Sequence, residues 1–213
     1  MKIEKLGKDN IKEFIRDMKL DDTDSILFDV NKKELYGIKK DDTFCLGFDS
    51  LSQIDTIAIL YYGPKLSSEA FYDCIEFLDN SLVVENHLII DVYDEKHMKL
   101  LDDKYKCRDI TVSLALDGSV VHREDVSGDF VLVREKIIDI EMKSIKYYTS
   151  KNMIICDLVK QNIQDEKVIN DLHSNFVKEN VNYVGFTVFP DSLEYFKNIG
   201  YQCMSKSYVI RNS

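Results

Sequence analysis

A strand–helix–strand–helix–strand pattern occurs twice in this chain, about 96 residues apart, and it limits the possible folds more than any single residue does. The first copy reads TIAILYY (56–62), a helical stretch, HLIIDVY (87–93), a short helix and DKYKCRDITVSL (103–114). The second reads NMIICDLV (152–159), a helical stretch, YVGFTVF (183–189), a short helix and IGYQCMSKSYVI (199–210). Identity adds little, because at that offset only Ile59/Ile155, Asn86/Asn182, Val92/Val188, Tyr105/Tyr201 and Cys107/Cys203 agree. What recurs is the order of elements and the phase of apolar positions, as in Leu88/Val184, Ile90/Phe186, Leu100/Phe196 and Leu114/Ile210. The period is too long for a solenoid and reads as two sister units, 1–118 and 119–213; the alternative is one α/β domain in which similar elements recur.

The bulk properties narrow the class of partner. The 213 residues suffice for two small cores. No apolar run approaches the ~20 residues that span a bilayer, and MKIEKLGKDN lacks a signal-peptide core, so a cytoplasmic protein with no membrane partner is expected. The net charge of −10 is uneven, with 25 acids against 16 bases in residues 1–118 and 13 against 12 afterwards. Nucleic acid requires a basic footprint and is excluded as the main partner, while a cationic amine is compatible with an acidic surface. The five cysteines are odd in number and widely spaced within apolar patterns, as buried reduced thiols would be. The four histidines show no HxH or HxxxH spacing, so no metal site is expected.

Local patterns place the remaining elements. KIEKL (2–6) reads as a strand, and Ile11, Phe14, Ile15 and Met18 recur at helical spacing behind a capping box of Asn10 and Glu13. Residues 21–32 suggest a second short helix, and ELYGIKK (34–40) and FCLGFDSL (44–51) suggest strands turning at Asp41-Asp42. TIAILYY and HLIIDVY are continuous apolar runs, as expected of central strands covered on both faces. Between them Phe71, Cys74, Ile75 and Leu78 form one stripe, with Ser67 or Ser68 as the helix cap. The polar, glycine-bearing stretch 117–129 is the candidate linker, and residues 130–145 read as one strand with a wet face. Val168, Ile169, Leu172 and Phe176 line the long helix of the second copy.

The segment PDSLEYFKNIGYQCMSKSYVIR (190–211) resembles the C-terminal signature of the GNAT acetyltransferase superfamily. In that signature a helix closes on an aromatic-x-Lys-x-Gly-aromatic run before the last strand; Phe196, Lys197, Asn198, Ile199, Gly200 and Tyr201 stand in that close here, with the aromatics and the glycine in place and Asn198 at the lysine position. Residues 94–116 echo it without the glycine. The resemblance implies an α/β fold, a GNAT-like mixed sheet flanked by helices, in two related halves. It implies acetyl-CoA as co-substrate, held where the fourth and fifth strands splay, with its pyrophosphate on backbone N–H groups at a helix N-terminus. It also implies transfer of the acetyl group to a small-molecule amine, whose proton passes to a carboxylate or water. This chain departs from the pattern in both loops: Gly63-Pro64-Lys65-Leu66-Ser67-Ser68-Glu69 keeps one glycine, and Lys160–Glu166 has none. The position of the usual acid, a tyrosine, holds Phe196, with Leu100 as its counterpart.

The candidate residues each have two readings. Lys65, Ser67 and Ser68 could hold a phosphate, or be a solvated lysine and a helix cap. With Gly63 and the strand end Leu60, Tyr61 and Tyr62, they form the expected cofactor-binding set at the mouth of strands 56–62 and 87–93. Tyr61 and Tyr62 could equally be core. Asp91 and Asp157 are the candidate catalytic carboxylates; a carboxylate buried in a central strand has a raised pKa suited to proton transfer. The competing reading of the whole chain is a catalytically degenerate GNAT-fold protein that binds a ligand or a partner. The sequence leaves the oligomeric state open.

Overall fold

The computed structural model describes residues 1–20, 34–51, 56–64, 66–81, 88–122, 131–138, 143–150 and 152–210. The helix expected at 21–32, Lys65 and residues 123–129 of the candidate linker lie outside them. The chain divides into two compact units, Met1–Lys106 with Ser207–Ser213, and Cys107–Lys206.

The first unit contains β1 (Lys2–Lys5), α1 (Ile11–Met18), β2 (Leu35–Lys40), β3 (Thr43–Leu51), β4 (Thr56–Tyr62), α2 (Ser68–Ser81), β5 (Ile89–Val92) and α3 (Glu95–Asp102). Its strands run in the order β1-β2-β3-β4-β5, antiparallel as far as β4 and parallel between β4 and β5. This is a mixed sheet with helices, as expected. Asp41 and Asp42 turn the β2–β3 hairpin with φ of 51° and 59°, the left-handed pair that a two-residue hairpin loop needs. The stripe of α1 is buried at Ile11, Phe14 and Met18, but the expected capping box is absent. The Asn10 side chain instead accepts the Gly7 N–H at 2.9 Å and donates to the Lys5 carbonyl, and Glu13 pairs with Lys39 at 2.8 Å. Tertiary partners outcompete the local one there. All four stripe residues of α2 (Phe71, Cys74, Ile75 and Leu78) are buried. The chain's last residues close this unit. The fully buried Tyr208 hydroxyl lies 2.9 Å from the Met98 carbonyl and 2.8 Å from the Asp102 carboxylate, and Ile210 N–H donates to the Leu88 carbonyl.

The second unit contains most of β6 (Lys106–Ala115), then β7 (Val131–Ile138), β8 (Lys143–Thr149), β9 (Met153–Asp157), α4 (Glu166–Phe176), β10 (Tyr183–Val188), α5 (Leu193–Asn198) and the start of β11 (Gln202–Val209). β10 pairs with β6 antiparallel and with β9 parallel, and β8 lies antiparallel between β9 and β7. The single strand expected over 130–145 is thus two strands. Ile169, Leu172 and Phe176 of α4 pack with Ile110, Val112, Cys156, Phe186 and Phe196. Truncating a fully buried ring such as Phe176 to alanine costs about 3–5 kcal/mol. α5 closes as its sequence suggests, with Gly200 at φ 94° and Tyr201 N–H returning to the Phe196 carbonyl at 3.0 Å.

The repeat and the units do not share boundaries. Nearly all of β6, the last strand of the first copy, belongs to the second unit, and residues 207–210, the end of the second copy, belong to the first. Among the described residues no helix is long and apolar enough to cross a membrane.

Candidate functional site

In the first unit β4 and β5 stay in register for four pairs, Thr56↔Ile89 to Ile59↔Val92, and β4 then runs on through Leu60, Tyr61 and Tyr62. β5 is paired along its whole length and ends at Val92, so the last three residues of β4 have no rung on that side within β5. The sheet is irregular at the same point. Against β3 the register steps from Phe48↔Ile59 to Gly47↔Tyr61, so Leu60 is an extra, bulged residue. Ala58, Leu60 and Tyr61 consequently all pack with Phe14 of α1, and Tyr61 meets the Phe14 ring edge-on at 5.8 Å. Tyr62 is turned to the opposite face, where its ring stacks on His97 at 4.4 Å.

Asp91 sits beside Ala58 in the β4–β5 register, and strand alternation puts it on the same face as Tyr93, which packs against the Phe14 cluster. It is half-buried. Leu60 and Tyr61 belong to the same Phe14 cluster as Tyr93. Asp94 caps α3 by accepting the His97 N–H at 3.0 Å, and the same oxygen lies 2.7 Å from His97 Nδ1. His97 is 4% exposed, and burial holds its pKa below the ordinary value despite Asp94. Sequence spacing did not single out this histidine; its signal would have been the cap residue three positions earlier.

The loop after β4 is built for packing as much as for a ligand. Gly63 N–H donates to the Cys45 carbonyl at 2.8 Å, and a Cβ on residue 63 would stand 2.9 Å from that oxygen. The glycine is therefore needed for strand contact, and its N–H is engaged in the fold. Pro64 has no N–H, and Leu66 N–H returns to the Gly63 carbonyl. Ser67 is the cap of α2, its hydroxyl accepting Ala70 N–H at 3.1 Å. The N–H groups of Ser68 and Glu69, in the first helical turn, have no intrahelical acceptor by helix geometry, and the Glu69 carboxylate is exposed beside them.

The second unit treats the equivalent positions differently. β9 is paired with β10 along its whole length, from Met153↔Tyr183 to Asp157↔Thr187, and Leu158 N–H extends the ladder to the Thr187 carbonyl at 2.9 Å. Asp157 accepts the Lys160 N–H at 2.9 Å and its ammonium at 3.2 Å, which makes it the staple of a turn. Gln161 substitutes for a missing strand rung: its amide accepts the Lys146 N–H at 2.6 Å and donates to the Lys146 carbonyl at 2.7 Å. With Ile145, Tyr148 and Ile163 these residues line a depression of about 450 Å³. Asp165 caps α4 through the N–H groups of Lys167 and Val168, placing a carboxylate where an anion would otherwise dock. Asp91 and Asp157 therefore belong to different units with different surroundings.

No family model and no curated protein matches the chain. Solved structures are similar to it in fold. A candidate acetyltransferase from Thermoplasma acidophilum superposes with a TM-score of 0.49 at 14% identity, over 98% of each chain. A GCN5-related N-acetyltransferase from Sphaerobacter thermophilus gives 0.46 at 7% identity, over 98% of this chain and 94% of that one. A tandem GNAT protein from the clavulanic acid biosynthesis pathway gives 0.41 at 8% identity, over 98% and 96%.

Proposed function

We propose that the chain is a tandem GNAT-like protein with halves 1–118 and 119–213, acting in the cytoplasm as an acyl-CoA-dependent N-acyltransferase that passes an acetyl group to a small-molecule amine. The observation that carries this reading is the run of β4 through Leu60, Tyr61 and Tyr62 beyond its last rung with β5, Ile59↔Val92, next to the bulge at Leu60. Acetyl-CoA supplies an activated thioester there. Leu60, Tyr61 and Tyr62 line the crevice for its acyl arm, and the first turn of α2 with Ser67, Ser68 and Lys65 receives its phosphates. Asp91 takes the proton of the attacking amine as the C–N bond forms and the C–S bond breaks. The phosphate cradle is thinner than usual, since Gly63 N–H is engaged and Glu69 opposes an anion.

The second half carries the degenerate reading. Its closed β9–β10 ladder and the Asp165 cap support a half that scaffolds or binds without catalysis, with Asp157 as turn staple rather than base.

Calorimetric titration with acetyl-CoA and with CoA tests the reading, with Ser68→Asp as the diagnostic variant. An aspartate at a helix start suits the fold but repels phosphate, so affinity should fall at least tenfold with the melting temperature maintained. No binding at millimolar ligand refutes the acyltransferase reading; binding that ignores S68D puts the ligand elsewhere.

A further inference from the structure

Cys45 and Cys74 are 29 residues apart in sequence, on β3 and α2 of the first unit, and their sulfurs lie 3.7 Å apart. The Cys45 sulfur also lies 3.4 Å from the Ile38 carbonyl oxygen. The contact has a structural cause. Between β2 and β3 the register steps from Ile38↔Leu46 to Lys39↔Phe44, so Cys45 is the extra residue of a bulge, and a bulge re-aims its side chain. Cys74 belongs to the buried stripe of α2, which packs over that point.

The two thiols are unequal. Cys45 is half-buried and Cys74 is fully buried. The hydrogen bond between the two sulfurs lowers the Cys45 pKa against the opposing effect of burial, with a smaller lowering from the charge of Lys40, while the same bond and burial raise that of Cys74. Lys40 is held over the pair by an ion pair with Asp73, the residue before Cys74, at 3.0 Å. A partly exposed thiol in contact with a fully buried one is the arrangement of an attacking and a resolving cysteine.

We propose that Cys45 and Cys74 are a redox-active dithiol, converted reversibly to an intramolecular disulfide by a small disulfide such as oxidised glutathione. Cys45 loses its proton to solvent and attacks one sulfur of the oxidant, whose S–S bond breaks, and one glutathione leaves as thiolate and takes up a proton from solvent. Cys74 then loses its proton to solvent and attacks the Cys45 sulfur, expelling the second glutathione, which is protonated in turn. Two protein thiols are oxidised and one glutathione disulfide is reduced to two thiols. The sulfurs must close from 3.7 Å to about 2.05 Å. The Cys45 carbonyl also holds Gly63 N–H at 2.8 Å, so the state of the pair reaches the loop that opens α2. The proposal stands whether or not the protein transfers acyl groups.

The test equilibrates the full chain, without denaturant, in glutathione buffers from fully reduced to fully oxidised, followed by acid quench, alkylation and peptide mass spectrometry. The expected result is joint protection of Cys45 and Cys74 with one two-electron midpoint, while Cys156 remains alkylated. Cys74→Ser should trap glutathione on Cys45, and Cys45→Ser should leave Cys74 a thiol. Glutathione retained on Cys45 in the unmodified chain, a Cys74 linkage to any other cysteine, or both thiols free in the fully oxidised buffer each overturns the proposal.

Discussion

Gly63 marks the difference between a glycine kept for a ligand and one kept for the fold, and Gly63→Ala separates them. Its φ does not require glycine; among the described residues only Gly118 and Gly200 are glycines at positive φ. What residue 63 lacks is room. An alanine Cβ would meet the Cys45 carbonyl oxygen at 2.9 Å and the Cys45 Cα at 3.2 Å, both backbone atoms that cannot rotate away. Relief requires the end of β4 to move off β3 by a few tenths of an ångström, at the rung where Gly63 N–H donates to the same oxygen. Overpacking costs about 1–3 kcal/mol. Weakening the hydrogen bond adds about 0.5–1.5 kcal/mol. The stiffer unfolded chain returns about 0.4–1 kcal/mol. The net loss is about 2 kcal/mol, and at about 2–4 °C per kcal/mol for a chain of this size the melting temperature falls about 4–8 °C. Denaturant titration and calorimetry of both proteins, without ligand, measure it. A G63A protein within 0.5 kcal/mol of the original would refute the reasoning and return the glycine to the ligand.

Three further outcomes follow from the same geometry. Tyr208→Phe removes a buried hydroxyl from the Met98 carbonyl and Asp102 and should cost about 2 kcal/mol in denaturant titration; a loss under 0.5 kcal/mol would mean those groups find other partners. Glu69→Gln removes an exposed negative charge from the first turn of α2 and should tighten acetyl-CoA binding about threefold by calorimetry, whereas unchanged affinity would separate that turn from the phosphates. His97 has a pKa lowered mainly by burial, so the unfolded chain binds its proton more readily than the folded one. Its contribution is therefore present above the ordinary histidine pKa and is lost as pH falls through that value toward the folded one, at up to about 1.4 kcal/mol per pH unit. His97→Gln should flatten the slope of stability against pH in that range; an unaltered slope would show that other groups set it.

Much of this structure was legible in local pattern. The stripes of α1, α2 and α4, the cap at Ser67, the Asp41-Asp42 turn and the Gly200 helix close depend on neighbours within a few residues, and so appear in the sequence. Where local pattern failed, a distant group had won. Asn10 and Glu13 preferred Lys5, Gly7 and Lys39 to one another, and residues 130–145 looked like one strand because alternation carries no mark of where a strand turns back.

The sequence alone determined that two strand–helix–strand–helix–strand units follow one another, because apolar periodicity is a property of consecutive residues. It also placed Leu60, Tyr61, Tyr62 and Asp91 on central strands. Only the tertiary structure decided that β4 outruns β5 while β9 stays paired with β10, that Gly63 is held by Cys45, that Gln161 stands in for a strand rung, and that Cys45 meets Cys74. It alone assigned nearly all of β6 to the second unit and the chain's end to the first. Ladder register, bulges and strand membership are set by which backbone groups from distant segments complete one another's hydrogen bonds, and no short-range pattern encodes that choice.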